Sequence, residues 1–146
     1  MSRLNDTKLA YDKLGELLYK EIRRRRGSAR ELERIRDTLN VAFYLLGWAQ
    51  FEYLVREEAN DIIEGKARAK TVDGHAWRYL QENLKSLPVR RRLDMIFHAD
   101  QTTRGNLDRD YSVRNEAAHD YKIPPEAKDV SAWLQALEEL VDKFGQ

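Results

Sequence analysis

Apolar positions recur with the period of a helix along almost the whole chain. Leu14, Leu17, Leu18 and Ile22 form one stripe, closed by the basic run Arg23, Arg24, Arg25, Arg26 and by Gly27. Ser28 then reads as an N-cap, with Glu31 three residues on as its capping-box partner. From there Leu32, Ile35, Leu39, Phe43, Leu46 and Leu54 keep the helical spacing as far as Ile62 and Ile63, which predicts one long helix ending near Gly65. Asp73 is placed to cap a third helix carrying Trp77, Leu80 and Leu84. Pro88 opens a short fourth, with Leu93, Ile96 and Phe97 on its apolar face. The stretch DQTTRGN (Asp100 to Asn106) reads as a loop and Leu107 to His119 as a fifth helix. The fifth helix ends at KIPP, because a proline disfavours helix at the residue before it. Val130, Leu134, Leu137, Val141 and Phe144 stripe a last helix. With no alternating strand pattern and no internal repeat, the expected fold is all-α, an up-and-down bundle of five or six helices. Residues 1–27 are expected to form a helical arm and residues 28–146 the bundle.

Composition narrows the function. The chain has 146 residues, enough for one domain with a real core. Charged residues make up 35% but the net charge is only +1, which argues against a uniformly basic nucleic-acid binder. Arg outnumbers Lys roughly two to one, a bias that suits bidentate contact with phosphate or carboxylate. There is no cysteine, so disulfide scaffolds, cysteine-ligated zinc and a thiol nucleophile are excluded. The N-terminus lacks the apolar region of a secretory signal, and the longest apolar run, Val41 to Ala49, is about half of what a membrane span needs. A soluble cytoplasmic protein with no membrane partner is expected. His75 and His98 have no further ligand at metal-binding spacing, and Gly65 to Lys70 lacks the pattern of a phosphate loop. Neither a metal nor another cofactor is expected.

Two basic runs carry a possible nucleic-acid footprint: Arg23 to Arg26, and Arg90, Arg91 and Arg92. The plainer reading is a solvated face offset by Glu21, Glu31, Glu33 and Asp94. Trp48, Phe51 and Trp77 stand at core spacings, which favours packing over base stacking. Glu52 interrupts the most apolar stretch; it reads either as a surface glutamate or as a partly buried one that orients an Arg or His.

The stretch RNEAAHDY (Arg114 to Tyr121) concentrates the candidate chemistry. Histidine is the side chain suited to give and take a proton near neutrality, and arginine to stabilise a phosphate. An Arg and a His five apart lie about 140° around a helix, so Arg114 and His119 do not share a face. Asn115 and His119, four apart, do, and Asn115 is expected to orient the imidazole. Ala117 and Ala118 leave room for a helix or ligand to come close. A helix-end histidine capping carbonyls beside a surface-paired arginine is the competing reading.

RNEAAH resembles the R-N-x-x-x-H signature of the HEPN superfamily, and its place just before a final amphipathic helix agrees. GWAQFE in the long helix resembles the W-x-x-F-E stretch of several HEPN groups, and the resemblance covers about Ser28 to Phe144. It implies an HEPN-like bundle and a metal-independent endoribonuclease. The enzyme would act as a homodimer whose two copies share one cleft. It would cleave RNA by attack of the 2′-OH, leaving a 2′,3′-cyclic phosphate. His119 would transfer the proton, Arg114 would stabilise the phosphorane and Asn115 would orient His119 or the phosphate. The H-D-Y extension is similar to that of HEPN toxins whose partner antitoxin, a minimal nucleotidyltransferase, adenylylates the tyrosine. Tyr121 is then either a regulatory acceptor or a side chain packed under the Pro124–Pro125 turn. A toxin or antiviral defence role follows from the same resemblance. A non-catalytic module of this superfamily, binding nucleotide or a protein partner, is the alternative. Many HEPN members carry Gly after the His, where this chain has Asp120.

Overall fold

The computed structural model describes residues 3–24, 29–120 and 122–146. Six α-helices and no strand are present among them: α1 (Arg3–Arg24), α2 (Ala29–Ala67), α3 (Val72–Glu82), α4 (Val89–Ile96), α5 (Gln101–His119) and α6 (Val130–Val141). The all-α class read from the periodicity holds. None of these helices is long and apolar enough to cross a membrane. The Ser28 cap and Gly27 lie outside the described residues.

The chain divides into two compact units. Unit 1 is Met1–Phe51 with Ser112–Asp142, and unit 2 is Glu52–Tyr111 with Lys143–Gln146. The core of unit 1 is aromatic. Tyr44, Trp48 and Phe51 on α2 are buried with Trp133, Leu134 and Leu137 of α6 and with Leu4 of α1. Trp48 and Trp133 stack at 5.9 Å between ring centroids, and Tyr44 lies 5.1 Å from Trp133. Gly47 sits where α2 meets α6, and a methyl group there would run into Leu134 Cδ2.

Helix α1, read from sequence as an arm, belongs to unit 1. Thr7 Oγ1 donates to Gln50 Oε1 at 2.8 Å and Tyr11 OH donates to Asn40 Oδ1 at 2.9 Å. These polar ties hold the first three turns of α1 against α2. The expected stripe behaves differently, because Leu14 and Leu17 are exposed.

Unit 2 buries Val55, Ala59, Ile63 and Ala67 of α2 with Leu93, Phe97 and Leu107. Its helix boundaries are decided by caps. Thr71, not Asp73, caps α3, its hydroxyl accepting from Gly74 N at 3.1 Å. Leu84 falls in a separate 3-10 turn, Leu84–Ser86, after Asn83 ends α3. The stretch from Asp100 to Asn106, expected as a loop, is helical from Gln101 onward. The Asp100 carboxylate accepts from Thr103 N at 3.0 Å and from Thr103 Oγ1 at 2.6 Å, satisfying a donor that an uncapped helix start would leave open. Arg104, with its side chain 13% exposed, then joins α4 to α5 through Asp94 at 2.6 Å, Asp108 at 3.4 Å and the Arg90 carbonyl at 3.3 Å.

Candidate functional site

The candidate residues Arg114, Asn115 and His119 occupy the last two turns of α5, within unit 1. Ala117 is buried and so marks the inward face of this segment. Arg114, three residues earlier, shares that face and is half-buried. His119, two residues later, lies about 200° around the helix and is exposed. Helical geometry alone therefore puts a partly sheltered cation and an open imidazole on different sides of one helix end.

The structure pairs these residues differently from the expectation. Asn115 Oδ1 accepts from Arg114 Nη1 at 2.8 Å, so the amide oxygen orients the guanidinium rather than the imidazole. A charged donor makes the stronger bond, and its part-buried setting strengthens it further. Asn115 and His119 still lie on the same side of the helix. The helical hydrogen bonding runs one residue past His119, with Asp120 N donating to Glu116 O at 2.8 Å. Lys122 then reaches back to Glu116 Oε2 at 3.0 Å, which ties the exit of the chain to the same helix end. Glu116 correspondingly pushes the Lys122 ammonium above its ordinary range. Tyr121 lies outside the described residues.

The other sequence candidates are dispersed. Glu52 is half-buried on α2 at the start of unit 2. Arg23 and Arg24 are exposed at the end of α1, while Arg25 and Arg26 lie outside the described residues. Of the second basic run, Arg90 stands over the Tyr111 ring at 5.1 Å and pairs with Asp108 at 3.0 Å. Arg91 is exposed, 3.4 Å from Asp94. Arg92 corrects the expected footprint. It is only 7% exposed, and its Nη2 donates to the Leu84 carbonyl at 2.8 Å. Burial and the neighbouring Arg56 hold its guanidinium below the ordinary value. It is a structural residue of unit 2 and is not open to a nucleic-acid strand. His75 and His98 are exposed, and His98 Nδ1 lies 3.0 Å from the Met95 carbonyl. Among the described residues no three His, Asp or Glu side chains gather as a metal site.

Unit 1 also contains a cleft of about 570 Å³ that the sequence did not reveal. Tyr11, Arg36, Asp37, Asn40, Ile123 and Lys128 line it. Arg36 and Asn40 are one turn apart on α2, which is legible as spacing, but nothing local links them to Tyr11 or to the segment after α5. Burial, together with Asp129 and Asp12, raises the Tyr11 phenol above its ordinary range against the opposing pull of Arg36. Compared with known proteins, the chain matches no family model, no curated protein and no solved structure.

Proposed function

We propose that the protein is an HEPN-type endoribonuclease that cleaves RNA as a homodimer without a metal. The observation that carries this reading is the arrangement at the end of α5. Arg114 is half-buried and aimed by Asn115, and His119 is exposed in the last turn. The imidazole takes the proton of a ribose 2′-OH as O2′ attacks the adjacent phosphorus. The P–O5′ bond then breaks, and O5′ takes a proton from the imidazolium of the second copy. Products are a 2′,3′-cyclic phosphate and a 5′-OH. The guanidinium of Arg114 stabilises the added negative charge of the phosphorane, and its partly sheltered position makes that contact stronger than one in bulk water. A two-fold arrangement is invoked because one helix directs Arg114 and His119 to different sides, whereas symmetry lets one copy's Arg face the other's His. A toxin or defence role, and a partner enzyme that adenylylates Tyr121, rest on the resemblance of RNEAAHDY alone.

The test is incubation of the purified protein with structured and unstructured RNA in EDTA, with end-group analysis. Cleavage leaving cyclic-phosphate ends, lost in both Arg114→Ala and His119→Ala with helicity intact by circular dichroism, supports the proposal. Cleavage that survives His119→Ala overturns the chemistry. A fully active species that light scattering shows to be a monomer overturns the shared cleft.

A further inference from the structure

The cleft beside the Tyr11–Asn40 pair combines features that neither the core nor the α5 site uses. Its volume falls within the range of small-molecule sites, ~300–1,000 Å³. Tyr11 OH donates to Asn40 Oδ1 at 2.9 Å, which fixes the side-chain amide with Nδ2 left to donate. Arg36 lines the same opening one turn earlier on α2, and Lys128 comes from the 3-10 turn Pro125–Lys128. Lys128 has no ion-pair partner among the described residues. The Arg36 guanidinium pairs with its neighbour Asp37, at 3.2 Å, with the two side chains 49% and 60% exposed. Such an exposed pair is weak and yields readily to a better anion. The lining thus offers two cations and one carboxylate, and Asp12 and Asp129 act on Tyr11 from beside it, so the phosphate contacts fall to Arg36 and Lys128. Ile123, 71% exposed, and Ala127 supply an apolar wall.

We infer that this cleft is a subsite for a phosphate-bearing nucleotide. Arg36 and Lys128 take the phosphate oxygens. Asn40 Nδ2 donates to an acceptor on the base or sugar, Asp37 accepts from a ribose hydroxyl, and Ile123 covers a face of the base. The same chemistry is offered by a free nucleoside monophosphate and by a nucleotide within a strand. Ile123 follows His119 by four residues, at most about 14 Å of extended chain, so a strand cleaved at His119 can also reach the cleft. That last step rests on the nuclease reading; the binding itself does not.

The experiment is calorimetric titration of the full chain with AMP, UMP, inorganic phosphate and a short oligoribonucleotide. The His119→Ala protein is used so that nothing is cleaved. Saturable nucleotide binding tighter than that of phosphate is expected. It should be weakened about tenfold or more in each of Arg36→Ala and Lys128→Ala, the loss of one charge-assisted contact. Asn40→Asp keeps an acceptor for Tyr11 but puts a carboxylate in the cleft, and is expected to weaken binding at least as much. A monophosphate that binds assigns a free nucleotide, and an oligonucleotide alone assigns the strand. Both support the subsite if the variants weaken them. Binding unchanged in all three variants, absent for every probe, or no tighter than phosphate overturns it. RNA cleavage in the wild type alongside unchanged binding in the variants removes the subsite and leaves the α5 chemistry standing.

Discussion

Replacing Gly74 by alanine sets helix propensity against a steric limit that only the tertiary structure contains. Alanine is favoured over glycine by up to about 1 kcal/mol inside a helix, and less in the first turn, where Gly74 lies. A methyl group on Gly74 would overlap the Ala69 carbonyl oxygen and stand 2.8 Å from its carbon. The obstacle is backbone, so no side-chain rotation relieves it. The turn from Ala67 to Thr71 has to move, and it is held. Arg78 Nη1 donates to the Ala67 and Ala69 carbonyls at 3.0 and 3.1 Å, and Thr71 Oγ1 accepts from Gly74 N. Overpacking of this kind costs about 1–3 kcal/mol, and weakening the arginine contacts places this site at the upper end. The net expectation is a loss of about 2 kcal/mol. With a urea slope of ~2 kcal/mol/M, the unfolding midpoint falls by roughly 1 M. Gly105 in α5 provides the control, since an added methyl there meets nothing within 4 Å. Gly105→Ala is expected to raise the midpoint by about 0.5 M or less. A Gly74→Ala protein that melts in urea at or above the wild-type midpoint would refute the reasoning.

Asp100 is held below the usual carboxylate range by its bonds from the Thr103 hydroxyl and amide. Its contribution to α5 is therefore complete above the usual carboxylate pKa and is lost as pH falls through the depressed value. The protection of the Thr103 amide from exchange, relative to free peptide at the same pH, should fall in that acid window, and Asp100→Asn should remove this change in protection while keeping an acceptor. Tyr11 shows the opposite sign: its phenol is raised, first by burial and then by Asp129 and Asp12. Stability should fall as pH rises above the ordinary tyrosine value, and alkaline denaturation should be shallower in Tyr11→Phe. Arg92→Met removes a buried guanidinium whose Nε has no hydrogen-bond partner. The Leu84 carbonyl keeps its bond from Leu87 N, at 3.2 Å, so urea unfolding should change by less than about 1 kcal/mol. A large loss there would show that the guanidinium carries more of unit 2 than its geometry implies.

Local interactions made much of this protein legible in one dimension. Helices α2 and α6 follow from apolar residues that recur every three or four positions, because helical hydrogen bonds close within the segment that makes them. The absence of alternating patterns was enough for the all-α class. The candidate pair Arg114 and His119 was also readable, together with its angular separation, since both stand on one continuous helix. What required the tertiary structure was every choice between local alternatives. Asp73 was the cap expected for α3, whereas Thr71 fills that place, and the close approach of Gly74 to Ala69 accompanies it. Asp100 turned an apparent loop into the first turn of α5, because its carboxylate met Thr103 twice. Burial of Ala117 decided which side of α5 is inward, and with it that Arg114 is sheltered and His119 open. Arg92 was indistinguishable from Arg90 and Arg91 as a letter, yet packing put it inside. The Tyr11–Asn40 cleft joins positions 29 residues apart with a segment beyond α5. Such convergence arises from packing and leaves no periodic mark in the sequence.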